Sequence, residues 1–265
     1  MNIHLEYPVY VWRRGDVAVE TYTLPGEEEF CIYVNGHLLA RLMASPSARE
    51  AMTVGFLYYS NIIETPDSIE TLYFSDGGSC ADVWLIAERT PAVEARLANP
   101  NTLLTSGCGR GVVLGDLYAP PEPLPTTLTL VTPTQLLDMA RLLQDATAHN
   151  VHSHGVHTSM LFTPTGEALA TMTDVGRHNT LDKLLGACLL GERCTEGNVL
   201  LTTGRLSSEM VSKAARMRTP IVASLRAVTS TAVELAEAWG IATVGYLRGQ
   251  QMVVYSHPER LGIRE

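Results

Sequence analysis

The chain has 265 residues, 46% of them hydrophobic, and a formal net charge of −9. That length can bury one large core or two modest ones, the composition excludes a disordered chain, and the acidity excludes DNA or RNA as a general partner, since phosphate backbones are bound through clustered Lys and Arg. Five cysteines, an odd number without close pairs, fit neither a disulfide framework nor a Cys-rich zinc site.

Pro8, Arg13 and Arg14 stand where a signal peptide needs an apolar run, and no later stretch is apolar enough to span a bilayer. The expectation is a soluble, cytoplasmic protein without membrane insertion. Residues 28 to 43 carry Asn35-Gly36 between apolar runs, the pair best suited to a type I′ hairpin turn. Ser45 and Pro46 then lead into AREAMTVGFLYYSNII, which predicts a helix capped by the serine, in spite of Gly55. Strands are expected at IETLYF and ADVWLIA around Asp76-Gly77-Gly78, completing a small α+β unit.

The stretch TSGCGRG (105 to 111) sets Cys108 among glycines with Arg110 two residues on. A cysteine that fills space sits in an apolar run, and this one does not. A thiol becomes a useful nucleophile where a cation or helix N–H groups stabilise its anion, and Arg110 is such a cation. A phosphatase-type loop would need an arginine six residues after the cysteine, where Leu114 stands. An inert thiol in a tight turn is the alternative.

Prolines at 120, 121, 123 and 125 stiffen the chain and place a domain boundary there, dividing residues 1–128 from 129–265. Beyond it the pattern alternates. A helix is predicted from Pro133 to about His149, then strands SMLF and ALATMT, a helix from about Asn179 to Leu190, strand NVLLTT, a helix from about Ser208 to Met217, strand PIVAS, a helix from about Thr231 to Trp239, and strands IATVGY and QMVVYS. This is an α/β pattern with a mostly parallel sheet and helices on its faces.

Three strand-to-helix turns concentrate polar residues: Arg177, His178, Asn179 and Lys183 in the first, Arg205 and Ser207 in the second, Arg226, Thr229 and Ser230 in the third. Such turns line the crevice at the carboxyl ends of strands, where helix N-termini offer N–H groups to anions. Together they point to a phosphate-bearing ligand, although each alone reads as an ordinary capped turn. No Walker-type or Rossmann-type glycine pattern is present. His152, His154 and His157 lie close in sequence, but neither H-E-x-x-H nor P-C-x-x-C accompanies them, so no metal is expected; one or two exposed histidines plus one lining a pocket is the reading.

DVGRHNTLDK (174 to 183), TTGRLSSEMVSKAA (202 to 215), PIVASLRAVTSTAVELAEAWGI (220 to 241), GYLRG (245 to 249) and VYSHPERL (254 to 261) together resemble the formate dehydrogenase accessory sulfurtransferases called FdhD or NarQ. The resemblance implies a cytidine-deaminase-like, three-layer C-terminal domain beside the smaller N-terminal α+β unit. It also implies a sulfurtransferase that takes persulfide sulfur from a cysteine desulfurase on Cys108. The recipient would be the molybdenum bis(molybdopterin guanine dinucleotide) cofactor, bound as cargo with GDP as a mimic, on its way to the formate dehydrogenase catalytic subunit. A homodimer and a cofactor-binding segment at Tyr246, Leu247, Arg248, Gly249, Gln250 and Gln251 are implied as well. One departure stands out: the family loop reads Cys-Gly-x-Cys, whereas here it is Cys108-Gly109-Arg110-Gly111. The missing second thiol keeps open a cofactor chaperone without sulfur transfer. A zinc nucleotide deaminase is disfavoured, because no P-C-x-x-C completes its metal site.

Overall fold

The computed structural model describes residues 4–88, 90–97, 104–106, 122–125, 131–148 and 155–264. It begins with an antiparallel hairpin, β1 (His4–Arg13) and β2 (Asp16–Pro25). Its turn, Arg14-Gly15, takes positive φ at both residues with an arginine where sequence signals favour Asn or Asp, so the sequence does not announce it. The Asn35-Gly36 turn is as expected and joins β3 (Glu28–Val34) to β4 (His37–Ala44).

Helix α1 (Arg49–Tyr59) follows, but Ala48 rather than Ser45 is its N-cap residue. Ser45 has been drawn into contacts with the second half of the chain, described below. Then come β5 (Ile69–Ser75), β6 (Cys80–Leu85), α2 (Thr90–Leu97) and β7 (Leu104–Ser106), of which α2 and β7 carry no strong sequence signal. These strands form a sheet in the order β5-β6-β3-β4-β7. Its inner face packs Phe30, Ile32, Val34, Leu42, Ala81 and Val83 into one apolar cluster with Met52 and Phe56 of α1.

The second half opens with α3 (Pro133–Ala148), whose start is a capping box: Thr132 N donates to Gln135 Oε1 at 2.9 Å, and Gln135 N to Thr132 Oγ1 at 3.3 Å. It continues through β8 (His157–Phe162), β9 (Ala168–Asp174), α4 (Arg177–Leu190), β10 (Val199–Thr202), α5 (Ser208–Arg216), β11 (Ile221–Ser224), α6 (Ser230–Trp239), β12 (Ala242–Arg248) and β13 (Gln251–Val254). The sheet order is β13-β12-β11-β10-β8-β9. It is less parallel than expected: only β10–β11 and β11–β12 run parallel, because the tight connections after β8 and β12 make antiparallel hairpins.

Leucine and valine alternation along the strands sorts the helices. Leu201, Ile221 and Val244 face α3, while Leu200 and Val222 face α4, α5 and α6. Helix α4 also packs on α1, and that contact joins the two sheets. The approach is close because each helix has a glycine at the crossing. A Cβ on Gly55 would lie 1.9 Å from the Asp182 carbonyl oxygen, and one on Gly186 would lie 1.7 Å from that of Ala51. The helix-weakening Gly55 is thus the residue that lets the halves meet.

Candidate functional site

The strand directions bring one set of residues to a single edge of the six-stranded sheet. The carboxyl ends of β9, β10, β11 and β12 share that edge with the starts of β8 and β13. Helices α4, α5 and α6 begin there with Gly176, Ser207 and Thr229 as N-cap residues, none with a side-chain capping hydrogen bond. Three sets of N–H groups and three positive helix ends therefore sit along one edge.

The turns are held from below by small hydroxyl residues. Ser224 Oγ donates to the Gly204 carbonyl at 2.6 Å and accepts from Arg226 N at 2.9 Å, while Gly204 N donates to Thr202 Oγ1 at 3.1 Å. The second and third turns are stitched together by Leu206 N to Ala227 O and Thr229 N to Leu206 O, both 3.0 Å. Beside them Tyr246, at φ 51°, donates its N–H to the Arg226 carbonyl at 3.0 Å. That left-handed conformation is costly for a bulky residue and sits where the β12–β13 register shifts, leaving the Tyr246 ring exposed.

The ten residues from Asp174 to Lys183 divide between two environments. Arg177 and His178 face the edge. A Cβ on Gly204 would come within 2.8 Å of the Arg177 Cβ, so this glycine lets the first and second turns lie side by side. Asp174, Asn179, Asp182 and Lys183 are buried instead. Asp174 pairs with Lys183 at 2.5 Å, accepts from Ser45 N at 3.0 Å, and accepts from Gly176 N and Asn179 Nδ2 at 2.8 Å each. Asn179 also donates to the Met43 carbonyl at 2.9 Å, and Lys183 to that of Ser45 at 3.1 Å. Asn179 and Lys183 were expected to bind a ligand. Both are committed to the seam between the sheets.

Asp182 is paired with Lys213, whose ammonium also lies 4.7 Å from the Tyr59 ring centroid. Burial pushes the Asp182 pKa up against the pull of Lys213, and burial lowers that of Lys183 against the pull of Asp174.

The edge itself is electropositive. Burial lowers the His157 pKa, with further lowering from Arg177 and Arg226, which places both guanidinium groups within electrostatic reach of that ring. His178 is pushed down to about 3 by burial, then by Lys213, Arg177 and His157, so its ring is neutral at pH 7. Glu209 Oε2 lies 3.0 Å from His178 Nε2, yet off the hydrogen-bonding direction, leaving that nitrogen without a hydrogen-bond partner. Arg177 Nε and Ser207 Oγ are likewise shielded from solvent without partners. Unpaired donors beside uncapped helix N-termini suit an anion with several oxygens.

Other expected residues sort by exposure. Arg205, Arg226, Ser230, Arg248, Gly249, Gln250 and Gln251 are exposed at or beside the edge, and Thr229 is half-buried there. Leu247 points the other way, fully buried in the cluster under α3, so its expected ligand contact is replaced by a packing role. His157 is the half-buried histidine of the sequence cluster and stands at this edge. It begins β8 facing the arginines, with Thr203 Oγ1 at 3.5 Å from its Nδ1. Arg260, in the last of the shared motifs, is buried and donates to the carbonyls of Gly240 and Pro125 at 2.8 and 2.9 Å, tying the segment before α3 to the sheet. Cys108, His152 and His154 lie outside the described residues. Among the described residues no group of three or more His, Cys, Asp or Glu side chains could hold a metal ion, and no helix is long and apolar enough to cross a membrane.

A profile of the FdhD/NarQ family matches residues 25–262. The Sulfur carrier protein FdhD of Wolinella succinogenes is 33% identical over 97% of this chain and 89% of its own length. That of Sulfolobus acidocaldarius is 32% identical over 89% of this chain and 90% of its own. The fold matches a crystal structure from Desulfotalea psychrophila, described as that of a formate dehydrogenase accessory protein, with a TM-score of 0.79. At 24% identity it covers 98% of this chain and all of that one.

Proposed function

This chain belongs to the FdhD/NarQ family, and we propose that it is a cytoplasmic sulfur carrier serving formate dehydrogenase. In this reading Cys108 receives sulfur from a cysteine desulfurase as a persulfide and passes it to the molybdenum bis(molybdopterin guanine dinucleotide) cofactor. The cofactor is cargo, held by the C-terminal half as a cytidine-deaminase-like scaffold.

The observation that carries the binding half of the proposal is the edge where α4, α5 and α6 begin, with Arg177, Arg226 and the unpaired Ser207 hydroxyl. A guanine dinucleotide presents pyrophosphate oxygens, and uncapped helix N-termini with guanidinium groups are matched to them. A neutral His178 offers a hydrogen bond without adding charge. The sulfur half rests on the named relatives and on the chemistry of a thiol beside Arg110.

Gly111 favours a second reading, a cofactor chaperone without sulfur transfer. Formate dehydrogenase activity in a strain lacking its own factor separates the two. Wild type should restore activity, Cys108→Ala should not, and Gly111→Cys should leave it unchanged or lower. Restoration by Cys108→Ala as well as wild type would overturn sulfur transfer in favour of the chaperone.

A further inference from the structure

Two other cysteines, far apart in sequence, meet in the N-terminal sheet. Cys31 in β3 and Cys80, the first residue of β6, are register partners across a parallel strand pair, with Cys31 N donating to the Ser79 carbonyl at 2.9 Å. Paired strands lie about 4.8 Å apart, and a disulfide spans Cα separations of about 4.4–6.8 Å. Both side chains project from the face opposite the apolar one that Phe30, Ile32, Ala81 and Val83 turn toward α1. A cysteine that only filled space would belong on the inner face, as Cys188 does among the leucines of α4.

The outer face supplies the rest of a reactive group. Glu29, on the same side of β3, has Oε1 at 3.8 Å from the Cys31 Sγ, and Arg41, the register partner of Cys31 on β4, donates to that Oε1 at 2.8 Å. Cys80 is half-buried and accessible, whereas Cys31 is buried. We propose that Cys31 and Cys80 form a second sulfur-reactive site, a cross-strand dithiol that strips sulfane sulfur from a low-molecular-weight persulfide and expels it as sulfide. The proposal rests on the sulfur-carrier reading only for the presence of persulfides around this chain.

The residues divide the roles. Cys80 is the more accessible thiol and attacks first, while burial, and then the neighbouring Cys80, push Cys31 up to about 11, so it rests protonated until closure. The Cys80 thiolate bonds to the terminal sulfur of R–S–SH, the S–S bond of the persulfide breaks, and RS⁻ leaves to be protonated by water. Cys31 passes its proton to the Glu29 carboxylate and attacks the Cys80 sulfur of the new Cys80–S–SH. The Cys31–Cys80 bond forms and HS⁻ leaves, taking up the proton from Glu29. Two thiols plus R–S–SH become one disulfide, RSH and hydrogen sulfide: the thiols lose two electrons and the sulfane sulfur gains them.

The test uses the full-length Cys108→Ala protein, glutathione persulfide under exclusion of oxygen, non-reducing peptide mass spectrometry and a sulfide assay. The expected result is a Cys31–Cys80 linkage and one sulfide released for each linkage formed. Cys31→Ser should stop at a Cys80 persulfide with no linkage. Cys80→Ser should leave Cys31 unreacted, and Glu29→Gln should accumulate the Cys80 persulfide by slowing closure several-fold. Unmodified Cys31 and Cys80, a Cys80 persulfide that never closes, or equal sulfide release from Cys31→Ser would overturn the proposal. Failure of the sulfur-carrier reading would show separately, as wild-type Cys108 that takes no sulfur from a desulfurase and cysteine.

Discussion

The seam between the two sheets and the open edge of the six-stranded sheet draw on the same ten residues, yet they put identical chemistry to opposite uses. Lys183 and Arg177 are both cations on the first two turns of α4. Lys183 lies with no exposure against Asp174 and the Ser45 carbonyl, whereas Arg177 stands at the edge with its Nε unpartnered. Helical periodicity decides this: side chains six residues apart point to different faces, and only one face meets α1 and the end of β4. Polar density in a sequence therefore marks a region where charge matters without saying whether the charge binds a ligand or holds two layers together.

The comparison breaks most easily at the seam. Lys183→Ala would leave the Asp174 carboxylate buried without its cation, a loss expected to cost about 3–5 kcal/mol. Urea unfolding should show it, and a cost near zero would mean that Lys183 is not structural. Gly186→Ala comes next. A Cβ pressed against the Ala51 carbonyl must push α1 and α4 apart, for about 1–3 kcal/mol or more. The same measurement checks it, and an unchanged midpoint would contradict the close crossing.

Arg177→Ala sharpens the other side. It should weaken GDP binding by about 1.5–3 kcal/mol in calorimetry while leaving unfolding nearly unchanged, the reverse of the Lys183 pattern. Unaltered affinity in both Arg177→Ala and Arg226→Ala would remove phosphate binding from this edge.

A pH dependence tests the histidine at the same edge, with its effect spread over several pH units. The folded His178 pKa of about 3 lies below its ordinary value of 6.5, so the unfolded chain binds more protons between those values. Stability should fall as pH drops from about 6.5 toward 3, by at most about 1.4 kcal/mol per pH unit, and His178 should contribute no slope above pH 7. His178→Gln should flatten the fall between pH 7 and 5, and an identical slope in both proteins would refute a neutral, buried ring.

Most of the helices and strands were legible because their signals are local. Asn35-Gly36 forces its hairpin turn, Pro133 opens α3, and period-two or three-to-four apolar spacing marks most of the remaining elements. The β1–β2 hairpin was not legible, since Arg14 gives no hint of positive φ and Tyr10, Trp12, Val17 and Val19 are exposed instead of building a core. The edge was half-legible. Arg177, Arg205 and Arg226 follow from turns that end strands, but His157 enters from the start of an antiparallel strand, where sequence rules for strand carboxyl ends do not look.

By itself the sequence determined the alternation of elements, the turn chemistry, the family and the odd cysteine of the Cys108 loop. Tertiary structure alone decided which polar residues are spent on the seam, why Gly55 and Gly186 must be glycines, and that Cys31 and Cys80 are neighbours. The physical reason is range. Backbone propensity and amphipathic period act over a few residues, whereas burial, charge pairing and helix crossing depend on which distant segment arrives opposite, a quantity no local pattern encodes.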